Sequence, residues 1–517
     1  MLLEEIAQTS VDVAATRARL VKVDRLAACL GRLRAEEVPV AVAYLSGALP
    51  QGTIGVGWAS LRDLPQPTTS ATLGLLEVHG ALERIGAASG KGSQGARRRE
   101  LSDLFARATE VERRFLIGLL LGELRQGALQ GVMVDAVARA AHVPLGDVRR
   151  ALMLAGDLGP VAQAALAEGP DGLARFQLTL LRPVQPMLAQ TAKDLDQALS
   201  RVGPAAVEWK LDGARIQVHR VGDDVRVFTR NLADMTGRVP DVVEAALGLP
   251  VEAVLLDGEA IALLGDRRPR PFQVSMSRFG SRLAVDELRR SMPLSPFFFD
   301  CLHLDGEDLI DRPAGERFEA LEGLVPADLR VPRAVVSGAG EARGVLDDAL
   351  ARGHEGVMVK ALDAPYEAGR RGASWLKVKR AHTLDLVVLA AEWGHGRRRG
   401  WLSNLHLGAR DQAGGFVMLG KTFKGMTDEM LTWQTEHLLS LETGRDDVTV
   451  HVRPELVVEV AFDGVLPSPR YPGGLALRFA RVKGYRPDKR PDQADTIDTV
   501  RAIHASGVGR PVRTRER

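Results

Sequence analysis

The octapeptide EWKLDGAR occupies residues 208–215 and joins two short runs rich in β-branched residues, AVEWK and ARIQVHR. β-branched residues favour strands, whereas Asp and Gly favour turns, so this stretch predicts two strands connected by a tight turn. Lys210 would leave the first strand at that turn. A lysine amine becomes a nucleophile when burial or neighbouring cations keep part of it deprotonated, and Arg215 is a candidate cation. An exposed charged turn without a chemical role is the alternative for the octapeptide alone.

Residues 184–380 mix short strand-like runs with helical segments. Runs such as AVLLDGEAIALL (253–264) and PFFFDCLHL (296–304) are separated by Gly/Asp turns and by helical stretches such as PDVVEAAL (240–247). Because the strands do not alternate regularly with helices, this region predicts an α+β domain with antiparallel strands.

The regions on either side have different patterns. Residues 1–183 carry apolar side chains at three- and four-residue spacing, which predicts an all-α domain. Residues 381–500 contain five strand-like runs and one helical run, which suits a C-terminal β-barrel of the oligonucleotide-binding type, the OB-fold. Residues 501–517 predict a disordered tail. The predicted fold class is therefore multidomain, with a boundary in the proline-containing stretch 181–190.

Composition excludes several classes of protein. The 517 residues contain only two cysteines and no paired Cys/His spacing, so a disulfide framework and a zinc site are not expected. No apolar run approaches the roughly 18 residues that would span a bilayer, and we expect no membrane contact and a cytoplasmic location. The net charge is only +2, and just 11 of the 68 basic residues are lysines. Arginine cannot act as a nucleophile because its pKa stays above ~12, so the few lysines are the side chains to inspect.

The octapeptide resembles the signature of the covalent nucleotidyltransferases, a superfamily of ATP-dependent DNA ligases, RNA ligases and mRNA capping enzymes. The resemblance implies that Lys210 attacks the α-phosphorus of a nucleoside triphosphate and forms a lysyl-nucleotide phosphoramidate. It also implies that Glu208 accepts a hydrogen bond from the adenine amino group, which favours ATP over GTP, and that Arg215 belongs to the nucleotide site.

Three further segments resemble the motifs of this superfamily in the expected order. Arg230, in RNLADMTGRVPD, matches the arginine that contacts phosphate, and a guanidinium suits phosphate oxygens. Glu259, in LDGE, matches a glutamate that faces the sugar and the metal. Phe299, in PFFFDCLHL, matches the ring that stacks on adenine.

Two more segments complete the resemblance. Glu355, in HEGVMVK, matches a second carboxylate on the metal side, so Glu259 and Glu355 are the expected ligands of a phosphate-bound Mg²⁺. Arg371, Lys377 and Lys379 lie in RRGASWLKVK and match the last nucleotide-binding strand. Side chains two apart on a strand share a face, so both lysines can point at one triphosphate.

The flanking regions point to the DNA ligases within the superfamily. RFARVKGYRPDK (478–489) resembles the RxDK motif, which implies that Arg486, Asp488 and Lys489 orient the pyrophosphate leaving group. GELRQG (122–127) resembles a signature of the helical DNA-binding module, which makes Arg125 a candidate phosphate contact.

The whole resemblance implies an ATP-dependent DNA ligase that uses ATP and Mg²⁺. AMP would pass from the lysine to the 5′-phosphate of nicked duplex DNA, and the 3′-hydroxyl would then attack and release AMP. The enzyme is expected to act as a monomer. Two alternatives stay open at this point: an RNA ligase or a GTP-using capping enzyme of the same superfamily, and a non-catalytic DNA-binding clamp.

Overall fold

The computed structural model describes residues 1–90, 92–124, 126–127, 130–270, 275–276, 278, 285–367, 371–379 and 382–507, and for residues 286, 371–373, 506 and 507 it describes only the backbone. The described part forms a helical N-terminal region, a central region with two five-stranded sheets and several helices, and a C-terminal region built on a large antiparallel sheet. No helix in these ranges combines the length and the apolar character needed to cross a membrane.

The N-terminal region contains nine α-helices within the described residues. Their apolar faces share one hydrophobic core, as the three- and four-residue spacing predicts. The helix Glu110–Leu120 begins where Thr109 and Glu112 form a capping box, since Glu112 N–H donates to the Thr109 hydroxyl and Thr109 N–H donates to the Glu112 carboxylate. The helices are α1 Leu3–Ala14, α2 Arg19–Leu30, α3 Val38–Leu45, α4 Leu75–Ala87, α5 Ser93–Ala106, α6 Glu110–Leu120, α7 Gln130–Ala140, α8 Leu145–Ala155 and α9 Leu158–Ala174.

The central region contains two five-stranded sheets. One sheet has the order β4-β3-β5-β6-β7 and is antiparallel throughout, with a hairpin between β3 and β4. The other has the order β1-β10-β9-β2-β8. The strands are β1 Leu188–Thr191, β2 Ala205–Lys210, β3 Ala214–Val221, β4 Asp224–Thr229, β5 Ala253–Ala262, β6 Leu294–Leu304, β7 Glu307–Asp308, β8 Arg333–Val336, β9 Gly356–Ala361 and β10 Arg371–Lys379. The helices are α10 Leu195–Val202, α11 Pro240–Leu247, α12 Val285–Ser291, α13 Ala314–Leu324 and α14 Ala339–Ala351.

One pairing in this region corrects the prediction of antiparallel strands. β1 runs parallel to β10, with Thr191 opposite Lys377. The two strands are far apart in sequence and no hairpin joins them, so a turn does not dictate their relative direction. The remaining pairings of both central sheets are antiparallel.

The C-terminal region has nine strands in its described part, where the sequence predicts five. Seven of them form one antiparallel sheet around a single core, and β17 and β18 form a separate hairpin. The strands are β11 His382–Trp393, β12 Leu402–Arg410, β13 Phe416–Thr422, β14 Glu442–Arg445, β15 Thr449–Val452, β16 Val457–Phe462, β17 Gly464–Pro467, β18 Leu475–Arg478 and β19 Arg481–Tyr485, and the helices are α15 Asp428–Ser440 and α16 Ile497–Gly507.

The start of the predicted disordered tail is also corrected. Helix α16 continues to Gly507, because Ile497 and Val500 are buried in the core of the C-terminal region and hold its first turns there. Residues 508–517 lie outside the described residues.

Candidate active site

A cavity of about 840 Å³ lies at the carboxyl end of β2, where Lys210 is the last residue of the strand. Residues of both central sheets line it, together with Arg478 of the C-terminal region. Of the residues that the sequence predicts for the nucleotide site, Glu208, Lys210, Arg215, Arg230, Glu259, Phe299 and Lys377 line this cavity. The fold therefore gathers side chains that are up to 169 positions apart in the chain (208 to 377).

Strand register explains why these side chains meet. β9 lies between β2 and β10, and Gly356 is opposite both Lys210 and Lys379. Two residues along the same strands, Met358 is opposite both Glu208 and Lys377. Opposite residues and residues two apart share a face of a sheet, so all of these side chains point to the cavity side.

Two glycines allow close approach of the backbone beside the nucleophile. A Cβ at Gly356 would lie 2.2 Å from the Val378 carbonyl oxygen, and its φ of 145° is a conformation that side chains rarely permit. A Cβ at Gly213 would lie 2.2 Å from the Ile261 side chain. The Gly213 N–H donates a 3.0 Å hydrogen bond to Glu259 Oε1, which ties the loop after Lys210 to β5.

Lys210 is held by a carboxylate. Its Nζ lies 2.7 Å from Glu355 Oε2, and Lys379 Nζ lies 2.8 Å from the same oxygen. Burial is the largest single influence and lowers the pKa of Lys210, but the charge and hydrogen bond of Glu355, together with the charges of two further carboxylates, raise the pKa overall. Burial would raise the pKa of Glu355, yet the two lysines lower it to about 2. The ion pair therefore keeps the Lys210 amine protonated in this state.

Glu259 is the second carboxylate near Lys210 and behaves differently. Burial raises the pKa of Glu259 to about 7, against the opposing charges of Lys210 and Arg215. The two carboxylates on which the sequence places a metal thus differ strongly in charge at neutral pH. A pKa of about 2 leaves Glu355 ionised at neutral pH, whereas a pKa of about 7 leaves Glu259 partly protonated.

Arg215 has a different place from the one expected of a cation that activates Lys210. Its guanidinium forms a two-point ion pair with Asp257, at 3.0 and 2.6 Å, and also donates to the Met187 carbonyl at 2.6 Å and to the Tyr366 hydroxyl at 3.1 Å. The main charges acting on the pKa of Lys210 are carboxylates. Arg215 lines the cavity but its donors connect β3, β5 and the segment before β1.

The end of the cavity next to Glu208 contains a buried group of ion pairs. Glu208 is only 2% exposed and pairs with Arg333 and with Lys360, and Phe299 and Trp375 lie beside the Lys360 amine. Lys360 also lines the cavity. The sequence placed Glu208 and Phe299 here, but it gave no signal for Arg333, which lies outside the recognised motifs.

The C-terminal region reaches the site through β18. Arg478 Nη1 lies 2.8 Å from Asp212 Oδ2, and Lys379 Nζ lies 3.4 Å from Asp463 Oδ2. These bridges join the C-terminal region to the loop that follows Lys210 and to β10. Arg478 is the first residue of the segment RFARVKGYRPDK (478–489), but the sequence did not predict its ion pair with Asp212.

The residues predicted to orient the leaving group, Arg486, Asp488 and Lys489, form ion pairs outside the cavity in this arrangement. Arg486 pairs with Asp385, at 2.9 Å, and with Asp488, at 2.6 Å, and Lys489 also pairs with Asp385. None of the three lines the cavity. The physical reason is that Asp385, near the start of β11, is almost buried and takes both cations.

Three further arginines are predicted to contact the nucleotide or the DNA. Arg230 is exposed at the rim of the cavity, after β4. Arg371 is the first residue of β10, and only its backbone is described. Arg125 lies outside the described residues.

Comparison with known proteins gives matches along the chain. Residues 186–379 match the family model described as ATP dependent DNA ligase domain, residues 398–489 match ATP dependent DNA ligase C terminal region, and residues 59–138 match DNA ligase N terminus.

Full-length relatives agree with these matches. The chain is 62% identical over 511 residues to a probable DNA ligase of Anaeromyxobacter dehalogenans (strain 2CP-C), covering 98% of this chain and 100% of the relative. It is 59% identical over 524 residues to a probable DNA ligase of Mycobacterium sp. (strain KMS), again covering 98% of this chain and 100% of the relative. Among solved structures, one titled Pmar-Lig_PreS3 aligns with a TM-score of 0.61 at 18% identity over 94% of this chain and 99% of that chain, which supports the shared fold. This chain belongs to the family of ATP-dependent DNA ligases.

Proposed function

We propose that this chain seals nicks in duplex DNA and that Lys210 is its nucleophile. The observation that carries the proposal is the position of the Lys210 amine at the end of β2, inside the 840 Å³ cavity and beside Glu355 and Lys379. In the first step the deprotonated amine forms a P–N bond to the α-phosphorus of ATP. The bond to the bridging oxygen breaks, pyrophosphate leaves, and AMP remains on the lysine.

The ion pair sets the condition for that first step. Because Glu355 keeps Lys210 protonated, the amine must give up this proton before it attacks. Lys379 already contacts the same Glu355 oxygen, so it can hold the carboxylate when Lys210 turns to the phosphate. Lys377 and Arg230 are further cations at the cavity that would lie near phosphate oxygens.

The later steps return the lysine to its starting state. A 5′-phosphate oxygen of the nick attacks the phosphorus of lysyl-AMP, the P–N bond breaks, and the lysine amine is released. The 3′-hydroxyl then attacks the activated phosphate, and AMP leaves with the electron pair of the broken phosphoanhydride bond. Phosphoryl transfer depends chiefly on positioning and charge neutralisation, and the lining of this cavity suits both.

The residues present fit a magnesium ion that is held mainly through phosphates. No group of three or more His, Cys, Asp or Glu side chains that could hold a metal occurs among the described residues. Mg²⁺ often takes only one or two carboxylates and keeps several waters, and Glu355 and Glu259 are the carboxylates that would hold it. When bound, it would neutralise charge that develops on the phosphates.

Each region has its own proposed role. We assign DNA binding to residues 1–183, with Arg125 as a phosphate contact. We assign adenylation to residues 184–380 and an OB-fold to residues 381–500. We assign leaving-group orientation to Arg486, Asp488 and Lys489 in a second arrangement of the C-terminal region. Arg371 would contact the nucleotide, and the enzyme would act as a cytoplasmic monomer.

The test uses labelled nucleotides and defined nicks. We expect α-labelled ATP, and not GTP, to label the wild-type protein in the presence of Mg²⁺, and nicked duplex DNA to be sealed faster than a nicked RNA strand. Lys210→Ala should neither be labelled nor seal the nick with ATP. Labelling by GTP with no DNA sealing would support a capping enzyme, and faster sealing of RNA would support an RNA ligase.

A further inference from the structure

Arg333 joins the two groups that are expected to contact adenine. It is the first residue of β8 and lies opposite Glu208 of β2 in strand register. Its Nε donates to Glu208 Oε1 at 2.7 Å, and its Nη2 lies 2.5 Å from the same oxygen. Nη2 also donates to the carbonyl oxygen of Phe299 at 2.6 Å. The Arg333 guanidinium therefore fixes the position of the Glu208 carboxylate relative to the strand β6, which carries Phe299.

The position of this guanidinium is determined by packing. The Arg333 side chain is 7% exposed, and its Cζ lies 3.5 Å from the centre of the Phe318 ring, on helix α13. Stacking of a planar guanidinium on an aromatic ring restricts its rotation. Arg333 therefore acts as a fixed donor pair, in contrast to a mobile surface cation.

Lys360 holds the other oxygen of the same carboxylate. Its Nζ lies 2.6 Å from Glu208 Oε2, and the amine is 4.3 Å and 4.2 Å from the ring centres of Phe299 and Trp375. A carboxylate offers about four acceptor positions. Arg333 Nε donates a hydrogen bond to Oε1, and Lys360 pairs with Oε2 as an ion pair, so these contacts do not use every acceptor position of Glu208, which lines the cavity.

This arrangement has a consequence for the choice of base. The remaining acceptor can receive the exocyclic amino group of adenine, whereas the carbonyl oxygen that guanine carries at that position would face an anion. A carboxylate without the guanidinium could rotate, and that change would weaken this discrimination. Buried polar groups left unpaired by the wrong substrate are a strong source of specificity.

We propose that Arg333 is a positioning residue that sets the preference for ATP over GTP by fixing Glu208 relative to Phe299. This inference rests on the proposed adenylation of Lys210. Arg333 contacts the groups that would hold the base, and it makes no contact that would place it among the reacting atoms.

The test compares adenylation by ATP and by GTP in Arg333→Met and Arg333→Lys. We expect Arg333→Met to raise the KM for ATP and to lower the ATP/GTP ratio of kcat/KM about tenfold or more, because hydrogen bonds to a charged group are lost. Arg333→Lys should lie between Arg333→Met and the wild type, since one ammonium cannot bridge both acceptors in the same way. Arg343→Met, at an exposed arginine of α14, serves as the matched control and should keep the wild-type ratio.

A second readout separates positioning from folding. A nick that already carries AMP on its 5′-phosphate needs no ATP, so every folded variant should still seal it, with a smaller loss of rate than in adenylation. If Arg333→Met is unfolded, the ratio measured for Arg333→Lys decides.

The inference is overturned if the folded variants keep the wild-type ATP/GTP ratio, or if they lose sealing of the adenylated nick to the same degree as adenylation. A wild-type protein that is not labelled by ATP at all would instead contradict the proposed function.

Discussion

Two lysine–glutamate pairs join β2 to the segment that begins with Glu355, directly before β9, and continues through β9. Lys210 pairs with Glu355 at 2.7 Å, and Lys360 pairs with Glu208 at 2.6 Å. The Lys210 side chain is 20% exposed at an open cavity, whereas that of Lys360 is 1% exposed between aromatic rings. Carboxylate charge raises the pKa of Lys210 despite burial, while burial lowers the pKa of Lys360 despite its carboxylate.

The difference in exposure allows two ion pairs of the same residue types to have different roles in one sheet. The Lys210–Glu355 pair, at the end of β2, borders a loop and the cavity. Lys210 can therefore exchange its contact with Glu355 for a contact with a triphosphate in the cavity. The pair further inside β9 has aromatic rings on its remaining sides, and a change of partner would leave a charge buried without compensation. We therefore assign reaction to Lys210 and organisation of the base pocket to Lys360.

The largest effect that we expect comes from Lys210→Arg. The charge is retained, but a guanidinium stays protonated and cannot attack phosphorus, so ATP-dependent sealing should fall to background. The measurement is nick sealing with ATP, and the control is sealing of a nick already carrying AMP, which should persist. Substantial ATP-dependent sealing by this variant would show that another residue forms the intermediate.

An intermediate effect is expected from Lys360→Met, compared with Lys210→Met. Lys360→Met removes a buried charged contact and should lower the free energy of unfolding by about 1.5–3 kcal/mol, measured by urea denaturation. It should still form the AMP adduct. Lys210→Met should show the reverse, with little loss of stability and no adduct. If both variants lost stability equally, the contrast between the two pairs would not hold.

The smallest effect is expected from Asp385→Asn, at the anchor of Arg486 and Lys489. Asp385 is almost buried, but the Arg486 and Lys489 side chains are 29% and 32% exposed, and ion pairs with such exposed cations contribute little, so adenylation by ATP should slow only about 2- to 5-fold. Sealing of the adenylated nick should not change. The same substitution at the exposed Asp492 is the control. A loss of a hundredfold would mean that Asp385 has a direct role in the reaction.

Local pattern accounts for what the sequence could predict. β-branched runs bounded by Gly and Asp predict strands, and the motif segments lie on these strands or at their ends. The alternation of side chains along a strand then predicts which of them share a face. That reasoning placed Lys377 and Lys379 on one face of a strand, whereas the register that brings Glu208 and Lys210 to the same surface is seen only in the structure. The helical N-terminal region followed from its apolar spacing in the same way.

What the sequence could not predict depends on contacts between distant segments. The parallel pairing of β1 with β10 and the link from Arg333 to Glu208 are set by tertiary packing, for which no local pattern exists. The position of Arg486 depends on how the C-terminal region is placed against the central one. In this arrangement β18 presents Arg478 to Asp212, and Arg486 stays with Asp385.

The most direct test of the central claim is to locate AMP on the chain after incubation with ATP and Mg²⁺. Mass spectrometry of the intact protein should show one added AMP, and fragmentation of its peptides should place it on Lys210. The adduct should disappear when nicked DNA is added. An adduct on Lys360 or on another side chain, or no adduct in a protein that still seals nicks with ATP, would contradict the account.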